Sequence, residues 1–453
     1  MIVALALLAS LQQAEPTQET PSFEREIRPI LMSRCSGCHQ PAMMDGGLDL
    51  TTHAAITAGA GSESILNISA VEESPLLESV IGFDGLPPDM PPKGPALSAE
   101  EVELLRRWVA AGAPDDSLGT APPWSATNPP KYPRPPVISS VAHSNDGRWL
   151  AVTGMHEVLV YSAANLILEK RLIGLSERIT SVCFSPDSAR LAVGGGTPAI
   201  SGELQLWDVN EARLEWARSV THDTIRGISF SPDGAFIACG GTDNTLRALR
   251  ASDGEQVLYQ SSHEDWVLAT EWSADGSHLL SVGRDRSLKL VKVETQQFID
   301  NVTSITPGAL RGGLLAVERH PSEDQVLVGG ADGSPQIFKI FRDKKRVIGD
   351  NYNLIRAFER LPGRVYGLAW SPEGKSIIAV SSTGTAGFIR HSNAEDGATL
   401  WTRELDAGQF TVSMSPDGSH CVCAGADGVL RQYSLTDGAL KNSLAVSPSG
   451  KEK

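Results

Sequence analysis

Over the C-terminal two thirds of the chain, short apolar runs alternate with one recurring polar turn. The turn reads Ser144-Asn145-Asp146-Gly147, Ser185-Pro186-Asp187-Ser188, Ser231-Pro232-Asp233-Gly234, Ser273-Ala274-Asp275-Gly276, His320-Pro321-Ser322-Glu323, Ser371-Pro372-Glu373-Gly374 and Ser415-Pro416-Asp417-Gly418. Successive copies are 41, 46, 42, 47, 51 and 44 residues apart, which is the period of propeller blades. Pro and Gly supply the dihedrals of a tight turn, so each copy predicts a hairpin. Around the second copy, residues 179–184 lead in, residues 191–194 lead out, and residues 203–208 form a third run. Runs that are apolar on both faces predict strands sandwiched between neighbouring blades. The pattern predicts an all-β seven-bladed propeller over residues 137–446. Residues 439–446 can supply the outermost strand of the seventh blade, so closure need not borrow a strand from the N-terminus.

The pattern before residue 116 is different. Phe23, Ile27, Ile30 and Leu31 recur at helical spacing behind Ser22, which can cap a helix, and Pro29 predicts a kink. Ser98 with Glu101 forms a capping-box pattern ahead of Val102, Leu104, Leu105, Trp108 and Val109, and Gly112 and Pro114 end that helix. Between the two helices lies a loop-rich stretch with Gly46-Gly47, Gly59, Gly61 and several prolines. This predicts a small all-α unit over residues 20–115. Residues 117–136, SLGTAPPWSATNPPKYPRPP, hold three Pro-Pro pairs and one further proline. They predict a stiff, extended linker over 116–136, with Trp124 packed on a neighbouring surface. Met1 to Leu11 is an apolar run with no Lys or Arg, too short to span a bilayer and of signal-peptide length. Cleavage near Ala14 gives a signal segment 1–14, an exported or periplasmic protein, and no integral membrane span afterwards. Residues 447–453 read as a disordered tail.

The helical unit contains the chain's sharpest chemical signal, Cys35-Ser36-Gly37-Cys38-His39. Two thiols three positions apart can add to the two vinyl groups of one haem, and the following imidazole is placed to be the iron's fifth ligand. With 6 Cys and 10 His in 453 residues, chance would produce this pattern roughly 0.002 times, so the motif is read as c-type haem attachment. A haem would also fill volume that a small chain cannot fill with side chains alone. Met90, stiffened by Pro87, Pro88, Pro91 and Pro92, is a soft thioether suited to ferrous iron as sixth ligand. His53 is the rival. Met43 and Met44 lie too close after His39 to reach the opposite haem face and are assigned to packing in the haem pocket.

Charge adds to this picture. The net charge of −15 argues against nucleic acid or an anionic membrane as partner. Residues 21–116 carry 15 acidic and 6 basic side chains, a net −9, whereas residues 117–453 carry 37 and 33, a net −4. The acidity surrounds the haem motif, as solubility requires or as a docking face for a basic redox partner would need.

Residues 23–114 resemble the cytochrome c domain of planctomycete proteins, through CSGCH, GGLDL with TTHAAITAG, PLLESV, MPPKG and LSAEEVELLRRWVAAGAP. The resemblance implies His39 and Met90 as axial ligands of one covalent haem c held by Cys35 and Cys38. The repeats resemble WD40 repeats. Trp207-Asp208 is the single literal WD pair. Asp243, Asp285, Asp332 and Asp427 sit at the turns between second and third strands, and His222 and His263 match the interblade histidine loosely. Cys183, Cys239, Cys421 and Cys423 fall on strands as small buried hydrophobes.

The expected function is therefore an exported electron carrier whose propeller binds a protein ligand. Two alternatives come from other classes. In one, the propeller holds an oxidoreductase or hydrolase site and the haem is its electron outlet. In the other, the chain is a scaffold whose haem is structural or senses redox state. Fold alone does not separate these readings.

Overall fold

The computed structural model describes residues 20–40, 43–61, 63–92, 94–116, 124–125, 127–304, 311–347 and 350–446. The signal segment 1–14, the tail 447–453 and residues 117–123 of the linker lie outside the described residues.

The N-terminal unit opens with a π-helical turn, Phe23–Ile27, that runs into α1, Arg28–Arg34. Ser22 accepts a hydrogen bond from the Arg25 N–H, as its predicted capping role requires. Pro29 causes no break, because it falls in the first turn of α1, where a missing N–H costs nothing. Two short helices occupy the stretch predicted to be loop: α2, His53–Ala58, and α3, Pro75–Val80. The last helix, α4, Ala99–Ala110, begins with the predicted capping box: Ser98 Oγ accepts from the Glu101 N–H, and Glu101 accepts from the Ser98 N–H. Loss of such a cap typically costs about 1 kcal/mol. Phe23, Ile27, Leu31, Leu77, Leu105 and Trp108 are fully buried in one cluster. Among the described residues much of the unit is irregular, so the all-α expectation holds for its regular elements only.

The rest is a seven-bladed β-propeller. Strands within residues 141–172, 178–221, 225–260, 267–301, 314–357, 364–405 and 409–445 make seven sheets. Each sheet has four antiparallel strands in sequence order. The first strand of every blade lines a central channel, and the fourth is outermost. Apolar clusters bridge neighbouring blades: Leu258 of blade three packs with Trp272 and Leu279 of blade four.

The recurring turn can be read atom by atom. Its serine hydroxyl donates to the turn aspartate, 2.5 Å for Ser185–Asp187 and 2.6 Å for Ser273–Asp275. The same oxygen accepts the N–H five residues on, 2.9 Å from both Arg190 and His278. These hydrogen bonds hold the Asp275 and Asp417 carboxyls down at about 2. Blade five has His320 in place of the serine, and its Nδ1 accepts the N–H groups of Ser322 and Glu323.

The ring closes without a shared strand. Residues Leu440–Ala445 form the outer strand of blade seven, and blade one supplies all four of its own. Side chains make the join. Val141, Leu150 and Val152 pack with Val422, Ala424 and Leu430, the Val141 and His143 N–H groups donate to Thr411 and Ser413, and Ile138 N–H donates to Gly425 O. The segment before blade one crosses this join. The Trp124 ring lies 3.8 Å from the His156 ring of blade one, tilted by 31°, and Pro135 and Pro136 press on Gly428 of blade seven.

Candidate functional site

At the C-terminus of α1 the chain folds back on itself. Cys35 and Ser36 N–H groups donate to Leu31 O, and Cys38 and His39 N–H groups both donate to Cys35 O. This tight turn brings both thiols and the imidazole to one wall of a cavity. The cavity holds about 360 Å³ and is lined by Cys35, Cys38, His39, Leu50, Leu76 and Met90 among others. Its size falls in the range of small-molecule and cofactor sites.

His39 Nδ1 lies 2.9 Å from Asp45 O. A carbonyl can only accept, so Nδ1 carries the proton and the Nε2 lone pair is left for another partner. This is the arrangement by which a backbone carbonyl fixes a metal-ligating histidine. Met90 is held by its own N–H, which donates to Ser79 O at 2.8 Å at the end of α3. Burial pushes the Cys35 thiol up to about 12, so at neutral pH it is un-ionised and a poor free nucleophile or metal ligand. Arg34, at the cavity edge, pairs with Glu101 through two hydrogen bonds of 3.1 and 3.4 Å, tying α1 to the start of α4.

The other candidates lie elsewhere. His53 Nε2 donates to Ala113 O at 2.8 Å, and the ring packs edge-on to Phe23 and Trp108; it does not line the cavity. The expectation that Met43 and Met44 pack in the pocket is corrected. Met43 packs against the apolar cluster shared by blades one and two, and Met44, with φ of 53°, is 43% exposed. Neither placement has a local signal, because the contact is made with a distant part of the chain.

In the propeller, His263 bridges Asp285 (2.9 Å) and Ser281 (2.7 Å) inside blade four, as an interblade structural histidine would; His222 is exposed. Burial works to raise the Asp285 carboxyl, but His263 and Ser287 hold it well below the usual range. Asp243 pairs with Arg247, and Asp427 with Arg431. Trp207 Nε1 donates to Gln205, whose amide donates to Glu203, a buried chain within blade two. Cys183, Cys239, Cys421 and Cys423 are free thiols, and burial pushes the first three up to about 12.

Two features of the ring gave no sequence signal, since their members come from separate blades. Glu271 and Glu318 face each other's charge in the channel, with Arg319 Nε 4.0 Å from Glu271. Burial first, and Glu271 second, raise the Glu318 carboxyl to about 8. At one end of the ring, Trp266 has the Arg284 guanidinium 4.5 Å and the Arg226 guanidinium 5.4 Å from its ring centre, beside a cavity that Arg364 also lines. Cation–π contacts hold these arginines in place.

Comparison with known proteins agrees with both parts. Residues 35–94 match the family model Planctomycete cytochrome C, and residues 169–208, 217–248 and 254–292 match WD domain, G-beta repeat. The chain thus joins a planctomycete-type cytochrome c segment to a WD40-repeat propeller. Periodic tryptophan protein 2 of Arabidopsis thaliana is 24% identical over 268 residues, 59% of this chain and 28% of that protein. Autophagy-related protein 16 of the same plant is 21% identical over 245 residues, 54% of this chain and 45% of that one. WD repeat-containing protein srw1 of Schizosaccharomyces pombe is 22% identical over 290 residues, 60% and 46%. The chain spans less than half the length of each of these relatives. No helix among the described residues is long and apolar enough to cross a membrane.

Proposed function

We propose that this chain is an exported electron carrier with one covalent haem c, and that its propeller docks protein partners. One observation carries the reading: Cys35, Cys38, His39 and Met90 line a single apolar cavity, with His39 Nε2 left free by the Nδ1 contact to Asp45 O. Cys35 and Cys38 would hold the porphyrin by thioethers, and His39 and Met90 would ligate the iron. The bound group supplies one-electron chemistry, and His/Met ligation favours a high potential. The protein's part is to keep the site dry. Leu48, Leu50, Ile65, Leu76 and Val80 present hydrocarbon to the cavity, which disfavours the more charged ferric state. The net charge of −9 on residues 21–116 suits a basic redox partner, and the apolar run Met1 to Leu11 supports export.

The test is the visible spectrum of the full chain made alongside a cytochrome c maturation system. Met90→Ala should keep the covalent haem, lose the sulfur-to-iron absorption of the oxidised form, and bind carbon monoxide when reduced. An unchanged spectrum would remove Met90 from the ligand set.

A further inference from the structure

The cavity beside the Cys-x-x-Cys-His turn is not walled by the N-terminal unit alone. Ala217, Arg218 and Ser219, on the outer strand of blade two (Arg213–Thr221), line it as well. The contact is close. A Cβ placed on Gly37, the second residue between the two cysteines, would sit 2.5 Å from Ala217 O. No side chain fits there unless one backbone moves. Met43, a few residues on, packs against the cluster that contains Val160, Leu191 and Leu214 of blades one and two. The attachment turn is thus seated on the propeller.

Arg218 is the group this seating brings to the cavity. Its Nη1 donates to Ala217 O at 2.8 Å and its Nη2 to Asp253 O at 2.9 Å, so a turn of blade three anchors it. Both acceptors are carbonyls, which orient a guanidinium without cancelling its charge. Arg34, the other arginine on the cavity wall, is neutralised by Glu101. A guanidinium has five donors in a fixed fork, and Arg218 spends two in these bonds. Among the described residues no carboxylate pairs with it, and the haem that the preceding reading assigns to this cavity has two carboxylates.

We propose that Arg218 is a positioning residue of the haem site: it pairs with a haem carboxylate, makes blade two a wall of the site, and gives the propeller a hand in setting the reduction potential. The inference rests on the haem reading. A positive charge at this place favours the less charged ferrous state, so its removal should favour the ferric one.

The experiment uses the full chain loaded with haem. Covalent haem is counted first by haem staining after denaturing electrophoresis, and the potential is then titrated optically. Arg218→Gln should keep the covalent haem and shift the ferric-to-ferrous ratio at fixed potential about tenfold toward ferric, a fall of about 59 mV for one electron. Arg218→Lys, which keeps the charge, should recover at least half of that shift. Gly37→Val should part the two surfaces and lower the potential in the same direction, and adding Arg218→Gln to it should change nothing further. Should Arg218→Gln load poorly, the Gly37→Val chain carries the test. Loaded variants that titrate with the wild type, or shifts that add in the double variant, overturn the inference and leave the haem reading standing. A wild-type chain without covalent haem overturns both.

Discussion

Trp108 of the N-terminal unit and Trp272 of blade four are both fully buried, and each indole N–H has a carbonyl partner, Pro114 O and Ser229 O respectively. Their surroundings differ. Around Trp272, leucine and alanine side chains from two blades fill the space. The cluster that holds Trp108 also borders the cavity of about 360 Å³, through Leu50, Ile65, Leu76 and Val80. Side chains fill the space between these two blades, whereas the apolar cluster of the N-terminal unit stops at an open cavity. A group that binds only the folded state stabilises it, so an occupant of that cavity would add to the stability of the N-terminal unit.

Three perturbations bear on that contrast. The largest effect belongs to Cys35→Ser with Cys38→Ser. All haem that survives denaturing electrophoresis should vanish, and the N-terminal unit should unfold at lower temperature while the propeller transition stays in place. A single unchanged melt by calorimetry would show that the cavity needs no occupant. Next, Trp272→Ala should lower propeller stability by about 3–5 kcal/mol, the usual cost of an aromatic deletion in a filled core. Urea unfolding should show this with covalent haem content unaltered; a loss below 1 kcal/mol would mean that the blades can collapse into the gap.

The smallest effect is a pH dependence. The folded chain holds a proton on Glu318 up to about pH 8 against an ordinary value of 4.5, while the unfolded chain releases it near 4.5. The folded state binds more protons in that window, so this group's contribution to stability is fully present below 4.5 and falls as pH rises toward 8. Glu318→Gln should remove the fall. Thermal melts at pH 5 and pH 8 should show the variant gaining on the wild type at the higher pH; equal gaps at both would place the burial cost elsewhere.

The same contrast governs what the sequence disclosed. The seven blades were legible because one serine performs the same two hydrogen bonds in five of the turns and accepts the same backbone N–H in a sixth, so the physical demand is written out repeatedly at similar spacing. The ends of the N-terminal unit were legible through Ser22 and the Ser98–Glu101 box, which act within three residues. Helices α2 and α3 were not: each has six residues, too few for an apolar stripe to recur, and tertiary packing holds them. The four cavity residues were picked out by residue type and spacing. The seating of Gly37 on Ala217 and of Met43 on blades one and two was not, because no local pattern announces contact between segments more than 100 residues apart. Arg218 carried no signal either, since an arginine on an outer strand reads as surface.

The absence of a shared strand between blades one and seven has a mechanical meaning. Backbone ladders stitch each blade and side chains join it to its neighbours, but at this joint no covalent connection from one blade to the next backs them: the two ends of the circle meet like a bracelet without a clasp, held by side chains and by the Trp124, Pro135 and Ile138 contacts laid across the gap. Amide protons along Val141–His143 and Gln409–Met414 should therefore trade with solvent ahead of those on the first strands of blades three and four, and a pull on the two termini should part the circle there before any blade unravels.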